Sequence, residues 1–264
     1  MANIDAGRET VSLATEAGYQ TALVGPDGEQ FTASIAGEAD AEMIYQFHNQ
    51  VYVQNRELIH PKSRAEIDNL ISGDGRTFVL RDKSDQIVCK KSVIIAPRPN
   101  DISGMTEFPE GSAVFVSDAT MPELQGRGLM TMLSRVACGF LTQCDDVKTG
   151  ISEITVGNLP SLAQYVGHNG FVIEDVRQDP EDDTFVTIQS RDFTSEPLYV
   201  EHDDCEWVPA NRGGHSMETV EGIGSWLEQG HRGVVLDQQD GGRIGFMQLS
   251  LCGLLQSAKT DRVN

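Results

Sequence analysis

The sequence predicts an α+β fold on a mixed, mostly antiparallel central sheet flanked by helices, with a C-terminal extension. Three observations carry this. A strand-like run is followed by two segments with helical apolar spacing, an antiparallel hairpin pattern, and then a β-α-β-α-β-β order. The 264 residues are 39% hydrophobic, enough for a substantial core, and no internal repeat divides them. After Phe193 the pattern gives way to an acidic, glycine-bearing stretch with weak periodicity. Residues 1–27 therefore read as a loosely ordered lead-in, 28–193 as the main domain, and 194–264 as an acidic linker with the extension.

The elements follow in chain order. Pro26-Asp27-Gly28 reads as a turn, and Glu29–Ile35 alternates as a strand. Glu38-Ala39-Asp40 opens an amphipathic helix whose Met43, Ile44, Phe47 and Val51 share a face. Ser63 and Glu66 form a capping box for a second helix reaching Ile71. Thr77–Leu80 and Ile87–Ala96 make a hairpin around Lys83-Ser84-Asp85, ended by Pro97 and Pro99. Ala113–Thr120 is a strand, Gly128–Thr142 a long helix and Ile151–Val156 the next strand. A short helix from Pro160 precedes strands at Phe171–Val176 and Thr184–Gln189. In the extension, Gly233–Leu236 and Ile244–Leu251 read as a hairpin across Asp240-Gly241-Gly242. That tail can cover a sheet edge, pair with a second copy in a homodimer, or close over the site as a lid.

Composition excludes several function classes. The formal net charge is −20 with a pI near 4.5, so nucleic acid, which needs clustered Lys and Arg, is not an expected partner. An acidic protein attracts cationic substrates such as amines. The charge concentrates in Glu174–Glu206, where twelve acidic residues stand against Arg177 and Arg191, as a solvated edge or as a rim recruiting a cation. No apolar run is long enough to span a membrane, and the N-terminus lacks the apolar core of a signal peptide. Five scattered cysteines without a C-x-x-C fit reduced thiols in a cytoplasmic protein. His60, His202, His215 and His231 show no metal-ligand spacing, so no metal is expected.

The most informative stretch is Val116–Leu133, VSDATMPELQGRGLMTML. A β-branched run ends at a Pro-Glu, a glycine-punctuated loop follows, and an apolar-periodic helix begins. Gly126 and Gly128 let a ligand lie against the backbone, and the first N–H groups of a helix have no internal partner. With the helix dipole these make an anion cradle suited to phosphate or pyrophosphate. The spacing fits neither G-x-x-x-x-G-K-[ST] nor G-x-G-x-x-G.

PELQGRGLM resembles the acyl-CoA pyrophosphate loop of the GNAT superfamily of N-acyltransferases, [QR]-x-x-G-x-[GA]. Gln125 takes the first position and Gly128 the fourth, and Met130 stands where the family prefers Gly or Ala. A second block, Gly150–Asp175, resembles the family's fifth strand, its N-x-x-[AS]-x-x-x-Y helix and the Gly-Phe opening the next strand. Asn158, Ser161, Tyr165, Gly170 and Phe171 occupy those positions. The Tyr165–Gly170 interval is one residue longer than usual, which predicts a loosened or bulged helix end. The resemblance implies the GNAT fold over about Phe31–Arg191. It implies acetyl-CoA as co-substrate, with Ala119, Thr120 and Met121 facing the pantetheine. Gln125, Gly126, Arg127, Gly128, Leu129 and Met130 would hold the pyrophosphate, and Asn158 and Ser161 would complete the donor site.

Acyl transfer to an amine needs a proton for the leaving thiolate and an acceptor for the amine proton. By resemblance Tyr165 is the general acid, and an amide near Ala119 or Thr120 holds the thioester oxygen. Many relatives carry an acidic residue five positions before the loop proline; here that residue is Ser117. Asp118 is one step later and faces the other side unless a bulge re-aims it. Asp118, Glu153 and a water chain stay open as the base. His168 and Asn169 shape the lengthened helix end, Asn as a left-handed cap. Ile44–Leu58 loosely resembles the R-x-x-V-[FY] segment of N-acyl amino acid and acyl-homoserine-lactone synthases. The region lines the acceptor pocket in the family, which implies substrate roles for Tyr45, His48, Tyr52 and Arg56. The expectation is an N-acetyltransferase moving acetyl from acetyl-CoA to a primary amine, on a small molecule or a protein, by direct attack in a ternary complex. A long-chain N-acyltransferase and a non-catalytic acyl-CoA-binding scaffold are the alternatives.

Overall fold

The structure, a computed structural model, describes residues 19–248 apart from 57–58, 100, 103, 181–183, 196, 199–204, 211–216 and 238–241. Among these residues eleven strands form one sheet in the order β1-β2-β3-β4-β5-β6-β8-β7-β10-β11-β9. The strands are β1 (Gln20–Val24), β2 (Gln30–Ile35), β3 (Gly75–Arg81), β4 (Ile87–Ile95), β5 (Ser112–Thr120), β6 (Thr149–Thr155), β7 (Val172–Gln178) and β8 (Phe185–Asp192). They continue with β9 (Glu206–Pro209), β10 (His231–Asp237) and β11 (Arg243–Gln248). The β5–β6 pair is parallel and all other pairs are antiparallel, as the predicted mixed sheet requires.

α1 (Ala41–Gln54) buries Ile44, Phe47 and Val51, three of the four residues read onto its face; Met43 is exposed. α2 (Arg64–Ile71) carries the predicted capping box, with Ser63 accepting from the Glu66 N–H and Glu66 reaching back to the Ser63 N–H. Both helices cover Val79, Ile87 and Ala119 on one face of the sheet. α3 (Leu129–Leu141) packs Leu129, Leu133, Ala137 and Leu141 onto the opposite face, over Phe78, Leu80 and Phe115. α4 (Leu159–Leu162) runs into a π-helical turn over Ala163–His168 on that same face. The lengthened Tyr165–Gly170 interval is absorbed there, because a π turn houses one extra residue. Asn169 does not take the left-handed conformation; Gly170 does, at φ +69°. Asn169 instead closes the turn by donating its side-chain amide to the Gln164 carbonyl at 2.6 Å.

Two elements differ from expectation. The lead-in holds a strand: β1 pairs with β2 through Leu23↔Phe31, although its own residues show no clear alternation. The extension adds a helix, α5 (Met217–Glu228), beside the anticipated β10–β11 hairpin. Part of that hairpin's turn and residues 249–251 lie outside the described residues, as do residues 1–18 of the lead-in. The hairpin continues the main sheet, with Gly233 of β10 opposite Ile173 of β7.

Candidate active site

The site begins where β5 and β6 part. Their ladder runs from Ser112↔Thr149 to Phe115↔Ser152 and stops there, while β5 continues to Thr120. On its other edge β5 stays bonded to β4, from Ile95↔Ala113 to Cys89↔Thr120. A bulge interrupts that ladder: Val93 faces Phe115 but Ser92 faces Ser117, so Val116 is the extra residue. Side chains after it swap faces. Asp118 joins Phe115 on the α3 face, and Ser117 turns to the α1 face with Lys90, whose ladder neighbours are Val79 and Ala119. The re-aiming that Asp118 needed is therefore present.

A cavity of about 290 Å³ fills the opened slot. Phe115 to Asp118 and Glu153 to Thr155 form its walls, and Asn158, Ser161 and Tyr165 one end. His48, His60, Lys62, Asp101 and Asp179 form the other, so the slot joins the two faces of the sheet.

Tyr165 is fixed by packing and by hydrogen bonds. Its ring makes edge contacts with Phe115 (5.6 Å) and Phe171 (5.0 Å), and those two rings touch each other at 5.6 Å. Its hydroxyl donates to Asp118 Oδ2 at 2.9 Å and accepts from Lys91 Nζ at 2.7 Å. Lys91, fully buried, also donates to Asp118 Oδ2 at 2.5 Å and lies 4.3 Å from the Tyr165 ring centroid. Gln164 adds a third donor to Oδ2 at 3.3 Å. Asp118 Oδ1 is buried with no hydrogen-bond partner among the described residues. Burial, and then the Asp118 charge, push the Tyr165 hydroxyl well above its ordinary range, so it is protonated at neutral pH.

Beyond Thr120 a short turn at Pro122–Leu124 leads into the glycine loop. Gly126 and Gly128 are left-handed at φ +75° and +73°, and nothing lies within 4 Å of where a Gly126 Cβ would stand. Among the described residues no backbone carbonyl accepts from the N–H groups of Gly126 to Thr131. Six consecutive amides at the head of α3 are thus without a backbone acceptor, and the space over Gly126 is open. Gln125 turns back to donate to the Thr120 carbonyl at 3.4 Å. Arg127 is held by Asp27 (2.9 Å) and Glu29 (2.7 Å), which steady the loop from the β1–β2 turn. The Met130 side chain packs on the core near Cys89, so its size does not fill the cradle.

No protein-family model and no curated protein matches this sequence. Solved structures do match in three dimensions. The GNAT domain of S. lividans PAT superposes with a TM-score of 0.51 at 15% identity, over 66% of this chain and 96% of that one. The ribosomal-protein-S5-alanine acetyltransferase from Vibrio fischeri gives 0.50 at 15% identity, over 61% and 92%. The chain has the GNAT fold.

Within this fold the structure brings together Tyr165, Asp118, Glu153, Asn158 and Ser161 around the slot. Asn158 accepts from the Ser161 N–H at 3.3 Å, capping α4 and aiming Tyr165's helix at the cavity. Of the four residues expected from the Ile44–Leu58 segment, His48 lines the cavity; Tyr45, Tyr52 and Arg56 are not among the lining residues. Tyr45 packs against the apolar cluster under α1, and Arg56 stacks over the Tyr52 ring at 5.9 Å. His48 bonds the His60 carbonyl at 2.9 Å, and burial, then Lys90, push it down to about 4, so it is neutral at pH 7. Among the described residues no group of three or more His, Cys, Asp or Glu is placed to hold a metal ion, and no helix is long and apolar enough to cross a membrane.

Sequence reasoning missed Lys90 and Lys91. Both are fully buried on β4, one on each face of the sheet. The available signal was a Lys-Lys pair inside the apolar run Ile87–Ile95: adjacent strand residues face opposite ways, so a buried strand must bury both.

Proposed function

We propose that this protein is an acyltransferase that moves an acetyl group from acetyl-CoA to a primary amine. The observation that carries the reading is the parting of β5 from β6 after Phe115, on the strand whose C-terminal end leads into the six available amides at Gly126–Thr131. The amides would take the pyrophosphate, and the unpaired edge of β5 at Ala119–Met121 would bond the pantetheine arm. The slot would admit the thioester. Tyr165, protonated and locked by two hydrogen bonds and two ring contacts, would give its proton to the leaving thiolate, with Lys91 at 2.7 Å stabilising the phenolate that results. Asp118, on β5, is paired with Lys91, whereas Glu153 on β6, with Asp101 and Asp179 in the lining, would draw a cationic amine. The amine would attack the thioester directly in a ternary complex.

The polar lining of the cavity supports a short acyl group over a long chain, since an extended alkyl tail gains only where apolar walls replace water. The acceptor class that fits is a small-molecule amine or a protein amino group.

Calorimetric titration with acetyl-CoA, with decanoyl-CoA as the comparison, tests the donor. Binding of acetyl-CoA followed by amine-dependent release of free CoA supports the reading. Preference for decanoyl-CoA would move it to long-chain transfer, and binding without thiol release across an amine panel would leave a scaffold.

A further inference from the structure

Lys90 is a fully buried cation without an ion pair among the described residues. It is fully buried between Val79 and Ala119, in the apolar cluster formed with Ile44, Phe47, Val51 and Ile67 of the covering helices. An ammonium has three protons to place and favours a carboxylate when buried. Lys90 Nζ has one hydrogen-bond partner among the described residues, Ser117 Oγ at 2.7 Å, and no carboxylate within ion-pair distance. Ser117 lines the cavity, on the face to which the β5 bulge turns it.

We infer that Ser117 and Lys90 form the proton path for the attacking amine. The inference rests on the acyl-transfer reading above. As the C–N bond forms, the amine nitrogen gives a proton to Ser117 Oγ while the Ser117 hydroxyl proton passes to Lys90 Nζ, which becomes an ammonium. The C–S bond then breaks, its electron pair leaves on the thiolate, and the thiolate takes the Tyr165 proton. Lys90 returns its proton through Ser117 to water once product leaves, and Tyr165 is recharged from solvent. Ser117 touches the reacting nitrogen; Lys90 acts through it.

The surroundings agree. Burial, and then the charge of Lys62, push Lys90 down to about 7, opposed by Asp118 and Cys89 and assisted by Lys91. From α1, His48 faces the same region, and His60 lines the cavity nearby. Neutral Lys90 is therefore present near physiological pH, and a carboxylate already carrying three donors on Oδ2, Asp118, is not needed as the base.

The test pairs two measurements on the full chain. Lysine labelled with carbon-13 at Cε, assigned with Lys90→Met, reads the titration of Lys90 by NMR. Free-CoA release from acetyl-CoA with a panel of simple amines is followed from pH 5.5 to 9. The expected result is a rate that rises through the pH at which Lys90 itself loses its proton. Lys90→Met removes this limb, and both Lys90→Met and Ser117→Ala slow turnover about 10²-fold with acetyl-CoA affinity kept. Ser117→Ala keeps the buried lysine in place, removing only its hydrogen-bond partner, and covers the case in which Lys90→Met fails to fold. An ammonium that persists to pH 9, or a limb and rate that survive Ser117→Ala and Lys90→Met, overturns the path. A wild type that binds acetyl-CoA and releases no CoA with any amine, while Lys90 still titrates near neutrality, marks the failure as that of the acyl-transfer reading.

Discussion

Single side chains here work by what they are denied as much as by what they contact. Tyr165→Phe keeps the ring packed on its two neighbours but leaves buried Lys91 and Asp118 each one hydrogen bond short, so it should lower Tm while binding acetyl-CoA as before. Turnover should fall about 10²-fold, read by CoA release under saturating donor. Unchanged turnover would remove Tyr165 from the chemistry. His48 carries a stability consequence. Its folded pKa of about 4 lies below the unfolded 6.5, so the folded state binds fewer protons. Stability is therefore lost as pH falls from 6.5 towards 4. His48→Gln keeps a donor for the His60 carbonyl and should flatten the fall of Tm with pH across that window. Gly126→Ala would force a left-handed alanine, costing about 1–2 kcal/mol, and set a methyl in the cradle. Acetyl-CoA affinity should drop about tenfold or more by calorimetry.

At the level of elements, two irregularities make the site, and they differed in how visible they were. The π turn was legible as a bulged helix end, because the Tyr165–Gly170 interval is one residue longer than in the family it resembles. The β5 bulge was legible only as a condition on Asp118, since nothing in Val116-Ser117-Asp118 says which strand face each side chain takes. That depends on register with β4, where Ser117 pairs with Ser92 and Asp118 with Lys91, far along the chain. Lys90 and Lys91 stayed hidden for the same reason: their burial comes from neighbouring strands and helices on both faces. The π turn makes its own prediction. Asn169→Ala strands the buried Gln164 carbonyl, which should cost about 1–3 kcal/mol in urea unfolding and loosen the backbone beneath Tyr165. Stability equal to wild type would show that the turn closes without the amide.

For the molecule as a whole, local periodicity made the order of elements readable, and the resemblance of PELQGRGLM and the Gly150–Asp175 block to GNAT motifs implied the fold. The extent of the sheet was not. β1 is a five-residue edge strand with little alternation to mark it, and α5 lies in a segment whose acidic composition masks its apolar face. The join between main domain and extension rests on Gly233, where an added Cβ would come within 2.9 Å of Ile173 Cβ. Gly233→Val should therefore pry β10 from β7 and destabilise by about 1–3 kcal/mol, seen as a lower Tm or a split thermal transition.

The contact of β10 with the π-helical segment, and of Gly242 with Leu159, gives that join a wider meaning. The extension buttresses the helix that carries Tyr165 rather than trailing from the sheet. A protein shortened at residue 193 would keep the glycine loop and its amides, so it should still capture acetyl-CoA. It would lose the back wall of its acid, and donor capture would become uncoupled from turnover. On the proposed reading, the minimal ligand-binding unit and the minimal working machine would be different lengths of polypeptide.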